Sequence, residues 1–200
     1  MNPNTSSAAA LAAEQTLTSA EFELAHLYLR QTKEGLVGAT KGLSEAQWKF
    51  KPAPERWSIA EIVDHVVVVQ ERVLGPIREQ LASALPIPAG YDYKRVDNLV
   101  IHHFPDRLIK FKSPEFVNPS GLAPSESLHR FAKNCALLTE LLDTPGLREH
   151  AVEAAPLKGV SNGEYGLMDG YQWLLAAAAH TERHTKQILE VIADARFPER

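Results

Sequence analysis

The sequence predicts an all-α fold, a four-helix bundle with one long crossover loop. Helix-start signals with an acidic or amide side chain three residues after the cap recur ahead of apolar runs. Within those runs the apolar residues return at helical spacing. No alternation of strand, Gly-rich loop and helix, the pattern that builds an α/β sheet, accompanies them.

The first helix opens at Thr18-Ser19-Ala20-Glu21, a capping box with Leu17 and Phe22 placed to staple around it. Leu24, Leu27, Tyr28 and Leu36 follow, which predicts a helix from about 19 to 40, ended by Gly42. Ser44-Glu45-Ala46-Gln47 offers a second cap for a short helical turn before Pro52 and Pro54 break the pattern. Ser58-Ile59-Ala60-Glu61 is a third capping box, stapled by Trp57 and Ile62. The run Val66-Val67-Val68-Val69 argues for a buried strand, because β-branched residues lose rotamer freedom in a helix. The cap before it and the polar Gln70-Glu71-Arg72 after it decide for a helix, which Pro76 ends or kinks, with a last turn or two towards Leu81.

From Leu85 to Pro124 the chain carries Pro86, Pro88, Pro105, Pro114, Pro119 and Pro124 and no sustained period, which predicts a long loop region, functional or else partly structured. Behind Pro124-Ser125, Leu128, Phe131, Leu138, Leu141 and Leu142 give a helix to about 143, stopped by Thr144-Pro145-Gly146. After another irregular stretch, Asp169-Gly170-Tyr171-Gln172 opens a final Ala- and Leu-rich helix through Ala195. Four long helices with one long connection make the bundle.

Composition bounds the rest. With 200 residues, 44% of them hydrophobic, the chain buries a sizeable core, and a single domain over residues 18–200 is expected behind a flexible lead-in of residues 1–17. Twenty-one Lys and Arg against 25 Asp and Glu leave a charge of −4 with no basic block, which argues against nucleic acid as a partner. The longest apolar run, Trp173 to Ala179, is seven residues where a membrane span needs about twenty. The single cysteine, Cys135, excludes a disulfide framework or a CxxC site and fits a cytoplasmic location. Flanked by Phe131 and Leu138, it is expected to be a buried, inert thiol.

The chemistry concentrates in histidines. On the final helix Trp173, Ala177, His180, His184, Ile188 and Val191 follow steps of four, three, four, four and three, so both imidazoles face the core. On the helix from Ser58, His65 lies on or beside the stripe of Ile62, Val66 and Val69. A His-x-x-x-His pair chelates one ion, and a third imidazole from a facing helix makes a set with an open position for water or substrate. Spacing alone leaves two readings open: a divalent metal on His65, His180 and His184, or hydrogen-bonded core histidines that fix packing.

The segment from Glu55 through Trp57, Ser58 and Glu61 to His65, together with His180, His184 and Gln187, resembles the DinB superfamily of metal-binding four-helix bundles. Leu43-Ser44-Glu45-Ala46-Gln47-Trp48 and Gly170-Tyr171-Gln172-Trp173 are similar to it as well, so the likeness spans nearly the whole domain. The resemblance implies a divalent metal, zinc or nickel, held by His65, His180 and His184 in a bundle that forms homodimers. Characterised relatives include bacillithiol S-transferases and the metal-binding domain of mycothiol-dependent maleylpyruvate isomerase. A metal-dependent enzyme acting on a small molecule through a low-molecular-weight thiol is therefore expected ahead of a hydrolase using water.

Other candidates carry less. Arg183 suits either an anionic substrate or an ion pair with a helix neighbour, and Glu61 suits its cap better than an imidazole. His102-His103 fits a surface or lid role in the long loop. Tyr91, Tyr93 and Trp173 line either a pocket mouth or the core.

Overall fold

Four capping boxes set helix starts, on Thr18, Ser44, Ser58 and Asp169. In each, the cap side chain accepts from the backbone N–H three residues on, while that residue's side chain accepts from the cap's own N–H. The computed structural model describes residues 17–199 apart from Pro76, Lys112 and Ser113. Most of the expected lead-in, residues 1–16, and the expected break at Pro76 lie outside the described residues.

The long helices are α1 (Ser19–Thr40), α3 (Ile59–Val69), α6 (Pro124–Glu140) and α8 (Gly170–Ile192), with the short α2 (Glu45–Lys49) between the first two. The valine run is helical. Burial overrides the β-branched preference there: Ile62, Val63, Val66 and Val67 are fully buried where α3 packs against α6 and α8. The helix then widens into one π-helical stretch, Gln70–Leu74, closed by Gly75 N–H donating to the Gln70 carbonyl at 2.8 Å. A short α4 (Ile77–Ala82) follows.

Residues 85–124 are partly structured, with no helix having been placed there from the sequence. They hold a two-residue strand β1 (Leu85–Pro86), a three-turn helix α5 (Tyr93–His103) and a 3₁₀ turn at Glu115–Val117. Asp92 caps α5 by accepting from Arg95 N–H, and Val96, Leu99 and Val100 bury its one apolar face against α8. The prolines at 86, 88 and 105 flank this helix and do not interrupt it.

The connection after α6 is likewise ordered, with β2 (His150–Glu153), α7 (Ala155–Val160) and β3 (Leu167–Asp169). The sheet runs β1-β2-β3, antiparallel throughout, with Leu85 opposite Ala151 and Ala151 opposite Asp169. Its last residue, Asp169, is also the cap of α8.

Helix α8 is the axis of the molecule. From Gly170 to Ala179 every residue is buried, because α1, α3, α5 and the small sheet wrap it, and the alanines at 176–179 let those neighbours approach closely. Two apolar clusters meet along it. One takes Trp173 to Ala179 together with α5, and the other takes Ile188 and Val191 together with α3 and Phe131 of α6. The two histidines of α8 fall between them.

Candidate metal centre

One helical turn separates His180 from His184, and α3 lays His65 across both. The imidazole centroids stand 4.4 Å apart for His180 and His184, 4.7 Å for His65 and His184, and 5.1 Å for His65 and His180. One ligand-capable atom from each lies within 4.8 Å of the others. His65 and His184 are buried and His180 is half-buried. Trp57, the residue before the α3 cap, lies over the cluster with its ring 4.7 Å from that of His65 and 6.5 Å from that of His184.

The outer nitrogens fix how the rings present themselves. His65 Nδ1 is 2.6 Å from the Val117 carbonyl oxygen, which can only accept, so Nδ1 carries the proton and Nε2 keeps its lone pair. His184 Nδ1 is 2.9 Å from Gln187 Oε1, which does the same for that ring from one turn along α8. His180 Nε2 lies 3.3 Å from His65 Nε2, while its Nδ1 is buried without a hydrogen-bond partner. Burial pushes all three imidazoles below the ordinary histidine range. At His180 and His184 the neighbouring imidazoles push further the same way, whereas at His65 the Val117 carbonyl and the Asp64 charge pull back.

These residues fit a divalent ion. Neutral imidazoles are the protonation state that coordination requires, and His65 and His184 turn their lone pairs inward. Bonds of 2.0–2.1 Å at tetrahedral angles put two nitrogens about 3.4 Å apart, and the His65–His180 Nε2 separation is 3.3 Å. A carbonyl and an amide oxygen on the far nitrogens are the supports metal-ligating histidines ordinarily have.

The model of the DinB superfamily matches residues 28–188. The chain belongs to the DinB superfamily. It is 26% identical over 158 residues to the uncharacterized protein YuaE of Bacillus subtilis (strain 168), a match covering 76% of this chain and 86% of YuaE. Its fold is similar to that of YfiT from Bacillus subtilis, with a TM-score of 0.58 over 89% of each chain at 14% identity. YfiT is described as "a probable metal-dependent hydrolase with an unusual four-helix bundle topology".

Around this DinB-superfamily cluster the remaining candidates take structural places. Arg183 neither awaits an anion nor pairs with a carboxylate on its helix. It donates to the carbonyls of Phe104, Asp106 and Ile109 and so pins the chain that leaves α5. Glu61 accepts from Ser58 N–H at 2.8 Å and from Lys51 Nζ at 2.7 Å, as a cap. His102 and His103 end α5 and are exposed, outside the metal-competent group. Burial pushes the Cys135 thiol up to about 11, which makes it inert.

Tyr91 and Tyr93 belong to a different feature. Arg148, 1% exposed, pairs with Glu21, Asp97 and Asp169 at 2.8 Å each and lies 4.2 Å over the Tyr171 ring. Tyr91 donates to Gln172 Oε1 and to the Leu167 carbonyl, and Tyr93 to the Arg148 carbonyl, so both complete this network at the N-terminus of α8. From Gln172 to His180 the helix rises about 12 Å, which keeps the network apart from the histidines. Trp173 is buried core.

The supporting groups divide by reach. Gln187 stands three residues after His184 on the same helix, a relation visible in the sequence. The Val117 carbonyl comes from a 3₁₀ turn 52 residues from His65, and no side-chain pattern announces it.

Proposed function

We propose that this DinB-superfamily chain is a divalent-metal-dependent enzyme that activates a small nucleophile, water or a low-molecular-weight thiol, for attack on a small electrophile. One observation carries this reading: three imidazoles converge, those of His65 and His184 with their outer nitrogens supported, and no fourth protein ligand joins the group among the described residues. A structural site would be closed by the protein, whereas three ligands leave a position for a reactant. A divalent ion there supplies Lewis acidity and draws the pKa of a coordinated water or thiol towards neutrality.

The protein's own residues prepare that position. Three neutral histidines bring no charge to balance a dication, so an anionic nucleophile is favoured beside them. The indole of Trp57 covers one side and limits access of bulk water. The description of YfiT supports the water arm, and the resemblance to bacillithiol S-transferases supports the thiol arm. Zinc or nickel as the ion, a homodimer and a cytoplasmic location complete the proposal and rest on the family resemblance and on the lone cysteine.

The test is metal content of wild type and His184→Ala, purified without a His tag and without added metal. About one equivalent of divalent metal in wild type, lost in the variant, is expected. Metal-dependent turnover is then sought in parallel with activated esters and with thiols plus an alkylating electrophile, which separates the two arms. Wild type that holds no metal and takes none up on titration ends the reading.

A further inference from the structure

The residue next to His65 is used in a way the metal proposal does not explain. Asp64 is 1% exposed and turned away from the imidazoles by the helical twist. It makes no salt bridge among the described residues, although the charge of Arg130 reaches it. Its carboxylate instead accepts three hydrogen bonds from one short segment: Ser120 Oγ at 2.9 Å, Gly121 N–H at 2.6 Å and Leu122 N–H at 3.0 Å. Gly121 has φ +88°, a conformation that side-chain-bearing residues rarely adopt, and it turns successive N–H groups onto the carboxylate. Three residues earlier the same segment presents the Val117 carbonyl to His65 Nδ1, and Arg72 of the π-helical stretch donates to the Phe116 carbonyl at 2.7 Å.

We infer that Asp64 is a positioning residue for the metal centre: by clamping residues 120–122 it holds the Val117 carbonyl against His65 and so fixes the tautomer and orientation of that imidazole. Asp64 and His65 are neighbours in sequence yet act through a loop that returns 52 residues later. Burying a carboxylate is costly, and here the cost is offset by two backbone N–H groups and a hydroxyl at the one place where the loop must stop. The direct contact, a carbonyl accepting from the far nitrogen of a ligating histidine, is the kind whose loss costs metal affinity. Asp64 is one step further out. The inference deepens the metal reading and rests on it for its effect on affinity, but the effect on His65 stands on hydrogen bonds present without an ion.

The test compares wild type, Asp64→Asn and Asp64→Ala in two measurements. Nitrogen NMR of the imidazoles in the metal-free protein reports the His65 tautomer, and competition with a chromophoric chelator reports zinc affinity. In Asp64→Ala, His65 is expected to lose its exclusive Nδ1–H form and zinc affinity to fall by roughly 10–100-fold, with Asp64→Asn between it and wild type. Should Asp64→Ala fail to fold, Asp64→Asn carries the comparison, because it keeps the volume and one acceptor oxygen. Leu138→Ala, a buried site in α6, controls for simple destabilisation and is expected to leave both readouts at wild-type values. An unchanged His65 tautomer in both Asp64 variants overturns the inference, as does an affinity loss that Leu138→Ala matches. Wild type that binds no zinc removes the proposed function, and the tautomer alone then decides the role of Asp64.

Discussion

Gln187 does for His184 what the Val117 carbonyl does for His65, from within a single helix. Gln187→Ala removes that acceptor without touching the backbone. Its expected effect is a roughly 10–100-fold loss of zinc affinity, read by chelator competition, and an unchanged affinity would show that the helix alone orients His184. Proton competition gives a second prediction at the same scale. Three imidazoles of ordinary pKa would lose about 50-fold in affinity between pH 7.5 and pH 6, because protons and the ion compete for the same lone pairs. Burial lowers all three histidines, so fewer protons have to be displaced at pH 6, and a loss well below that figure is expected in titrations at the two pH values. A loss as large as about 50-fold would mean that the rings titrate as exposed groups. The histidine pair on α8 was legible because a step of four is local. The supports were legible only as far as local spacing reaches, which takes in Gln187 and leaves out Val117.

Elements are held by a second polar centre that no spacing reveals. Arg148 ties the first turn of α1, helix α5 and the cap of α8 through Glu21, Asp97 and Asp169, residues scattered over the chain. Arg148→Met leaves the buried Asp169 and the half-buried Asp97 and Glu21 without their cation and is expected to destabilise the fold by about 3–5 kcal/mol in urea unfolding. Zinc affinity of the folded fraction is expected to stay at the wild-type value, since the network lies about 12 Å along the helix from His180. A parallel loss of affinity would show that the two polar centres are coupled. The capping boxes made the starts of α1, α2, α3 and α8 legible, because each is a four-residue chemistry that needs no tertiary partner. Helix α5 was hidden by the prolines around it, although Asp92 followed by Val96, Leu99 and Val100 is itself a cap and an apolar stripe. The strands were not legible. Two to four residues each, they exist only through one another.

At the scale of the molecule the bundle does not depend on the ion for its core. The two apolar clusters on α8 are built from side chains above and below the histidines, so the metal-free protein is expected to fold, unlike small domains whose metal supplies the folding energy. Binding still stabilises by mass action, about 2.7 kcal/mol when free metal exceeds Kd a hundredfold. For a chain of this length that raises Tm by about 5–10 °C. Circular dichroism melts with excess chelator and with excess zinc test both parts. A native-like spectrum in chelator and a rise of that size with zinc place the ion in a preformed site, where its binding energy is free to act on a reactant. An unfolded spectrum in chelator would make the ion a structural element, and the histidines between the two clusters would then serve packing.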